Sequence, residues 1–242
     1  MRKSFANVIA ALALAATAMI GGEALTADLG SPYKAPAPVT APVPYYDWTG
    51  VYVGVNGGYA WGQNDPLNLI SSAFDVNSFN TSGGLVGGTA GAQIQKGLAV
   101  VGAEIDLDWA NITGTGSTFV PTILGVPTAF TVTPSSKTDA IGTARVRGGV
   151  ALDNWLFYTT VGVALVDQNA AGTIINGAPC TALIPTCGGT HWHPGITGGF
   201  GAEYGLTPNW SVKAEYLYVW AAASGAAQNE LNLVRAGVNY RF

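Results

Sequence analysis

Apolar and polar residues alternate along most of the chain after residue 47, with the two-residue period of a β-strand whose faces meet different surroundings. Turn-forming residues divide this alternation into eight segments, which we predict to be strands. They cover residues 48–61, 84–95, 98–109, 139–152, 155–166, 192–206, 210–221 and 231–242. Several fit the roughly 9–11 residues of a tilted strand that crosses a membrane, and the longer ones would project beyond the bilayer.

The connections between the segments alternate in length. Three are tight turns, at Lys96-Gly97, Asp153-Asn154 and Thr207-Pro208-Asn209, and four are long, at 62–83, 110–138, 167–191 and 222–230. This layout predicts an all-β fold, an eight-stranded antiparallel up-and-down transmembrane β-barrel with short periplasmic turns and long extracellular loops. The alternative, a soluble sandwich of short strands, does not require this strict alternation of loop length.

The charged residues within the predicted strands support the barrel. In each strand they share one parity, and the opposite parity is mostly apolar. A Lys or Arg at the bilayer midplane costs roughly 2–4 kcal/mol on the lipid face. We therefore predict a charge network in the lumen, made of five acidic and five basic side chains: Glu104, Asp106, Asp108, Glu203, Glu215, Arg145, Arg147, Lys213, Arg235 and Arg241.

Glycines on the same lumen parity have two interpretations of equal weight. They could leave room for the long charged side chains, or they could reflect strand bending and the close approach of a neighbouring backbone. The residues concerned are Gly54, Gly58, Gly87, Gly91, Gly195, Gly199 and Gly201.

Tryptophan gives an independent indication, because all seven residues of this type fall at or near the ends of predicted strands. Trp48 has the parity of the lumen, so either the first strand begins with a bulge or this side chain lies below the membrane. The other six are predicted to form two aromatic girdles at the membrane interfaces: Trp61, Trp109, Trp155, Trp192, Trp210 and Trp220.

The last predicted strand alternates Val238, Tyr240 and Phe242 with Asn239 and Arg241. We expect the aromatic face to meet lipid and the polar face to meet the lumen. Because a barrel in lipid can leave no unpaired strand edge, this strand is expected to pair with the first one.

The N-terminal residues have a different pattern. Residues 1–27 combine a basic start, an apolar run at 8–22 and small residues, which predicts a secretory signal peptide cleaved after Ala24 or Ala27. A membrane anchor is the alternative, but the apolar run is shorter than the roughly 20 residues that a spanning helix needs. Residues 28–46 are rich in Pro and Ala and predict an extended periplasmic linker, followed by the barrel at 47–242.

Composition agrees with an exported membrane protein. Charged residues make up 10% of the chain, compared with about 25% in soluble domains. The net charge of −4 provides no basic surface for nucleic acid. Cys180 and Cys187 are expected to form one disulfide that restrains the third long loop, with two unpaired thiols as the alternative.

A search for chemistry-bearing motifs finds no nucleophile, phosphate or zinc-protease pattern, so we predict no enzyme activity and no catalytic residues. His191 and His193 could bind a metal or haem iron, but two histidines with no third ligand nearby are more often surface residues. Glu104, Asp106 and Asp108 occupy alternate positions on one strand and could suggest a Ca²⁺ site. Pairing of these carboxylates with the five basic side chains of the lumen is favoured. No cofactor and no metal site is predicted.

The opening motif 48–54 (WTGVYVG), the closing motif 235–242 (RAGVNYRF) and the Pro-rich leader together resemble a family. They are similar to the porin-like, opacity-type small outer-membrane barrels of alphaproteobacteria, which include outer-membrane immunogenic proteins. The resemblance implies a barrel of the cell outer membrane with both termini in the periplasm. It also implies that Gly237, Tyr240 and Phe242 form the signal that the barrel assembly machinery recognises.

Members of this family are described as porins, surface antigens and, in some cases, haemin binders. We expect a non-enzymatic protein that supports cell-envelope integrity and displays surface loops, with outer-membrane lipid as its surroundings and an unknown extracellular partner. A narrow porin-like channel for ions or small solutes is the alternative, and it requires an open lumen. A haemin-binding surface protein is the third hypothesis, for which the two histidines are the only support.

Overall fold

Eight of the strands form a closed barrel in the computed structural model, which describes residues 46–64, 78–123, 126–169, 173–179, 182, 190–222 and 228–242. In chain order the barrel strands are β1 (Gly50–Asn64), β2 (Phe79–Lys96), β3 (Ala99–Thr115), β6 (Ser135–Leu152), β7 (Trp155–Asn169), β10 (Thr190–Gly205), β11 (Trp210–Ala222) and β12 (Gln228–Arg241). The remaining four strands are β4 (Thr118–Ile123), β5 (Val126–Thr133), β8 (Ile174–Ile175) and β9 (Ala178–Pro179).

Each barrel strand pairs antiparallel with its neighbours in the chain, and β12 pairs with β1 to close the cylinder. The closing register places Val55 opposite Val238 and Tyr52 opposite Arg241. The predicted eight-stranded up-and-down barrel is therefore confirmed. No helix among the residues that the structure describes is long and apolar enough to cross a membrane.

The three tight connections lie together at one end of the barrel, here called the short-turn end. Gly97 and Asp153 adopt positive φ angles of 63° and 54°, the left-handed conformation that two-residue hairpin turns require. Between β10 and β11 the backbone N–H of Trp210 donates to the carbonyl of Thr207 at 3.2 Å. All three turns occur where the sequence predicts them.

At the opposite end, here called the long-loop end, the strand bounds differ from the predicted ones, most of all in β2, β3 and β6. The strands run further than the alternating pattern indicates, so that β3 extends to Thr115 and β6 begins at Ser135. The segment 110–138 contains the β4–β5 hairpin, which joins β8 and β9 in a second, four-stranded sheet. Alternation of side-chain polarity ends here, but backbone hydrogen bonding does not depend on polarity and continues.

Side chains on the two faces of the barrel differ as the alternation predicts. The outer face carries exposed apolar residues, for example Ile105, Leu107 and Trp109 on β3. Their sequence neighbours Asp106 and Asp108 are buried in the lumen. The apolar face is therefore the one that the barrel presents to its surroundings.

The lumen glycines serve both of the purposes that the sequence suggests. A Cβ atom on Gly87 would meet the Asp108 carboxylate, so this glycine makes room for a charged side chain, as the sequence suggests. Gly91 and Gly201 make room for the rings of Tyr52 and Tyr158 in the same way. A Cβ atom on Gly199 would instead meet the neighbouring backbone at the carbonyl of Tyr216 and, at 3.0 Å, the Cα of Leu217.

This difference predicts the effect of one substitution. Gly199→Val forces a branched side chain against the β11 backbone, and we expect a loss of about 1–3 kcal/mol in unfolding free energy. Gly148→Val is the matched control, because a Cβ atom there has no neighbour within 4 Å and residue 148 is exposed on the outer face. Urea unfolding of the refolded proteins, followed by tryptophan fluorescence, measures both. Equal stability of the two variants would contradict this account of Gly199.

Candidate functional site

The candidate site is the barrel lumen, where all ten predicted charged residues are buried. Three pairs of opposite charge lie directly opposite each other on adjacent strands: Glu104 and Arg145, Glu203 and Lys213, and Glu215 and Arg235. The first and the last of these are in contact, whereas Lys213 Nζ lies 3.2 Å from Glu104 Oε2 across the lumen. The register of the sheet by itself therefore makes these opposite charges neighbours, and further contacts cross the lumen.

Arg145 lies at the centre of the network. Its guanidinium contacts the Glu104 carboxylate, lies 2.6 Å from Asp106 Oδ2 and lies 3.0 Å from Glu215 Oε2. The last of these contacts crosses the lumen from β6 to β11. A guanidinium with five donors in a planar fork suits such multiple pairing better than an ammonium does.

Arg235 joins the acidic residues of β3 to β12. It contacts the Asp108 carboxylate and lies 3.3 Å from Asp106 Oδ1 and 2.5 Å from Glu215 Oε1. Its relative exposure is 1%, so the charges have almost no access to solvent. Its removal would leave the three carboxylates short of a partner.

Arg147 is held by aromatic as well as acidic groups. Its guanidinium donates to Glu203 Oε2 at 2.8 Å and lies 3.9 Å from the ring centroid of Tyr158. The Tyr52 hydroxyl accepts from Arg147 at 3.0 Å and donates to Glu104 Oε2 at 2.8 Å. Sequence reasoning missed both tyrosines, although their lumen parity was visible.

A layer of aromatic and apolar side chains, here called the lower layer, fills the short-turn end of the lumen. It consists of Tyr46, Trp48, Val100, Ala151, Leu156 and Tyr158. The rings of Tyr46 and Trp48 lie 4.5 Å apart, and the Arg241 guanidinium lies 4.8 Å from the Trp48 ring. Burial raises the pKa of the Tyr46 hydroxyl, so the Tyr46 side chain is neutral beside Arg241.

The lower layer shows where the Trp48 side chain lies and moves the boundary between linker and barrel toward the N-terminus. Trp48 precedes β1, is completely buried and does not belong to an outer girdle. Tyr46, which the sequence assigns to the end of the linker, packs inside the barrel instead. The rest of the linker and the signal segment lie outside the described residues.

A second apolar layer, the upper layer, fills the lumen between the charge network and the long-loop end. It is formed by Ala60, Leu85, Ile112, Ile141, Ala164, Val166, Leu217, Val219, Ala221, Leu231 and Leu233. The sequence analysis did not predict this layer, because it considered only the charged residues and the glycines among the positions that face the lumen. The signal was nevertheless present, since apolar residues replace charged ones at those positions toward the long-loop end of β11 and β12.

The six girdle tryptophans all lie outside the lumen. Trp61, Trp109, Trp155, Trp192 and Trp210 are exposed, and Trp220 is partly buried. Trp210 packs edge-on against Tyr240 at 5.0 Å, and Tyr240 packs in the same way against Phe242 at 5.1 Å. The interfacial role of the tryptophans stays a prediction, as does the role of Gly237, Tyr240 and Phe242 in assembly.

The candidate metal ligands are arranged differently from a metal site. Among the described residues, the one group of three potential ligands lying close together is Glu104, Asp106 and Glu215, and Arg145 contacts all three. Along β10, His191 pairs with Gln168 and His193 pairs with Val166. Cys180 and Cys187, with their predicted disulfide, lie outside the described residues.

Comparison with known proteins identifies the family. The family described as "Outer membrane protein beta-barrel domain" matches residues 10–242. The chain belongs to this family. It is 31% identical to the 31 kDa outer-membrane immunogenic protein of Brucella melitensis, over 93% of this chain and 96% of the relative. The outer-membrane barrel that the resemblance implies is thereby confirmed.

Two further similarities are more distant. The 25 kDa outer-membrane immunogenic protein of Brucella canis is 28% identical, over 85% of each chain. The crystal structure of Neisserial surface protein A is 14% identical and has a TM-score of 0.45, with 80% of this chain and 98% of that chain covered.

The geometry of the network predicts a large cost for breaking it. Arg235→Gln leaves buried carboxylates without their cation, so we expect a loss of about 3–5 kcal/mol in unfolding free energy. Lys137→Gln is the control, because the Lys137–Asp139 pair is exposed and is expected to contribute about 0–1 kcal/mol. Urea unfolding in detergent micelles measures both variants. A loss below about 1 kcal/mol in Arg235→Gln would show that the network is not needed for stability.

Proposed function

We propose that this protein is a non-conducting barrel of the outer membrane, which supports envelope integrity and displays its long-loop end at the cell surface. The observation that carries the proposal is the filling of the lumen. The lower layer, the charge network and the upper layer follow one another along the barrel axis.

Each layer opposes the passage of ions for a physical reason. The interior of an eight-stranded barrel is just wide enough for side chains to fill. The two apolar layers offer few groups to replace the water around an ion, and a charge transferred into such surroundings pays a large desolvation cost. In the network, the five carboxylates already have cationic partners, so it is balanced without mobile ions.

The barrel architecture supports an orientation with the short-turn end in the periplasm. Outer-membrane barrels of this type have short periplasmic turns and longer extracellular loops. Both Trp48 and Phe242 lie at the short-turn end, so in this orientation the two ends of the barrel domain would face the periplasm. The assembly machinery would then meet the C-terminal strand from that side.

The second sheet supports a role at the cell surface. It is made of β4, β5, β8 and β9 and lies in the connections of the long-loop end. The hairpin is joined at its base by a hydrogen bond from Gly116 N to the carbonyl of Pro134 at 2.9 Å. Two Brucella relatives are named immunogenic proteins, which fits a protein whose outer strands are accessible from outside the cell.

An enzymatic role has little support in the lumen. Its carboxylates pair with Arg and Lys, and no pattern of a nucleophile beside a base is found in the sequence. A channel would need the two apolar layers to open. A haemin site would have to be built from the two β10 histidines and further groups of the long-loop end.

Single-channel recording tests the closed lumen. Refolded wild-type protein in a planar bilayer is expected to give no conductance steps, because two apolar layers and a paired network lie across the lumen. A shift in gel mobility on boiling first confirms that the sample is folded. Reproducible steps in the wild type that change in Arg145→Glu, but not in the exposed control Lys137→Glu, would establish the channel hypothesis instead.

Surface labelling of intact cells tests orientation and display. An epitope tag inserted between β4 and β5 is expected to bind antibody on whole cells, because this hairpin belongs to the long-loop end. The same tag inserted at Gly97 serves as the control, and we expect it to bind antibody only after the outer membrane is permeabilised. The reverse pattern would invert the proposed orientation.

The contribution to the envelope can be measured in the same cells. A strain without the protein is expected to admit detergents and large antibiotics more readily, and expression of the wild type is expected to restore the barrier. A variant whose β4–β5 hairpin is replaced by a short turn is expected to restore it equally, because the filled barrel is unchanged. Unaltered permeability in the deletion strain would exclude the proposed role in integrity.

A further inference from the structure

A cavity of about 430 Å³ lies on the outer face of the barrel near the long-loop end. It is formed where β12, β1 and β2 lie side by side, and Trp61, Gln63, Asn80, Ser82, Glu230 and Asn232 line it. Its volume falls within the range of about 300–1,000 Å³ that is typical of small-molecule sites. The closure of the barrel creates it, because β12 and β1 come from opposite ends of the chain.

The polar lining is unusual for this face. Toward the short-turn end the same face carries Val51, Val53 and Val55 on β1 and Val234 and Val238 on β12, all of them exposed. Polar groups turned toward lipid are costly unless a partner satisfies them. A cluster of five polar side chains at one place on this face therefore marks a position that meets polar headgroups and water rather than acyl chains, because the cost of polar groups falls to about 0–1 kcal/mol near the interfaces.

Hydrogen bonds on the outer face hold the lining residues in place. The Tyr216 hydroxyl donates to Asn232 Oδ1 at 2.6 Å, and Asn232 Nδ2 donates to the carbonyl of Trp61 at 3.4 Å. Trp61 pairs with both Asn232 and Ser82 in the sheet, so the indole and the polar groups share one site.

The charge of the lining selects the kind of ligand. Among the described residues that line the cavity, Glu230 is the one ionisable side chain, and none is Lys or Arg. A phosphate would meet a carboxylate without a compensating cation, whereas hydroxyl and amide groups can donate to Glu230 and exchange hydrogen bonds with Asn80 and Asn232. The half-exposed Trp61 ring offers the apolar surface on which the face of a sugar ring packs.

The position on the barrel selects the source of that ligand. Trp61, Trp109 and Trp220 are among the tryptophans predicted to form the interfacial belt of the long-loop end, which is the depth of the lipid headgroups. We propose that this cavity binds the sugar headgroup of an outer-leaflet glycolipid. The choice of leaflet rests on the orientation proposed above, and the binding chemistry rests on the cavity alone.

Quenching by brominated lipids tests the proposal on the full barrel. The protein is refolded into phosphatidylcholine bilayers that contain increasing amounts of a glucosyl diacylglycerol with brominated chains, and tryptophan fluorescence is recorded. We expect the glycolipid to bind beside the barrel about fivefold to tenfold more strongly than phosphatidylcholine, as one to two net hydrogen bonds would give. Brominated phosphatidylglycerol, which presents a phosphate, is expected to show no such preference.

Three substitutions assign the effect to the cavity. Asn232→Leu and Glu230→Leu are expected to reduce the preference to about onefold while the heat-induced gel shift persists, since each removes a polar group and keeps a side chain of similar size. Trp61→Phe is expected to remove the quenching component that saturates at low glycolipid. Trp210→Phe, at the opposite end of the barrel, is the matched control and is expected to leave the preference unchanged.

Several results would overturn the proposal. They are an equal affinity for glycolipid and phosphatidylcholine, a preference for phosphatidylglycerol, or a glycolipid preference that survives in Asn232→Leu and Glu230→Leu. Cross-linking of two barrels through residue 61 in these bilayers would assign the cavity to contact between copies of the chain, and so would also overturn it. None of these outcomes depends on conductance. The glycolipid site and the closed lumen are therefore tested independently of each other.

Discussion

Closure of β12 onto β1 is the constraint on which the rest of the structure depends. In a membrane every backbone N–H and C=O must find a partner within the protein, and a sheet satisfies this requirement only when its two edges pair. Closure also creates the lumen and brings strands from opposite ends of the chain together. The pairing of Tyr52 with Arg241, the contacts of Arg235 with β3 and the outer cavity beside Trp61 all follow from it.

The closed lumen is filled in layers with different physical roles. Paired charges occupy the middle, where the β3–β6 and β11–β12 registers already set Glu104 beside Arg145 and Glu215 beside Arg235. The apolar layers above and below keep water from these pairs, which strengthens their interaction and raises the cost of breaking them. Beyond the upper layer, at the long-loop end, lies the second sheet of β4, β5, β8 and β9.

The predictability of the fold varied along the barrel with the strength of the alternation. The short-turn ends of the strands were predicted to within a few residues, because membrane-facing apolar positions and turn residues such as Gly97 and Asp153 mark them. The long-loop ends of β2, β3 and β6 were predicted less well, since β3 continues to Thr115 through residues whose polarity no longer alternates strongly. Hairpin pairing above the membrane depends on backbone hydrogen bonds that leave little trace in side-chain type.

The sequence by itself determined the strand count, the face of each residue and the ten lumen charges, because a period of two is a local property that each strand carries independently. Only the tertiary structure decided which charges meet across the lumen, that Trp48 and Tyr46 fill the short-turn end, and that Trp61 and Glu230 line one cavity. These contacts join residues from opposite ends of the chain, as between Arg241 and Trp48, and they exist only after closure fixes the register and the stagger of the strands.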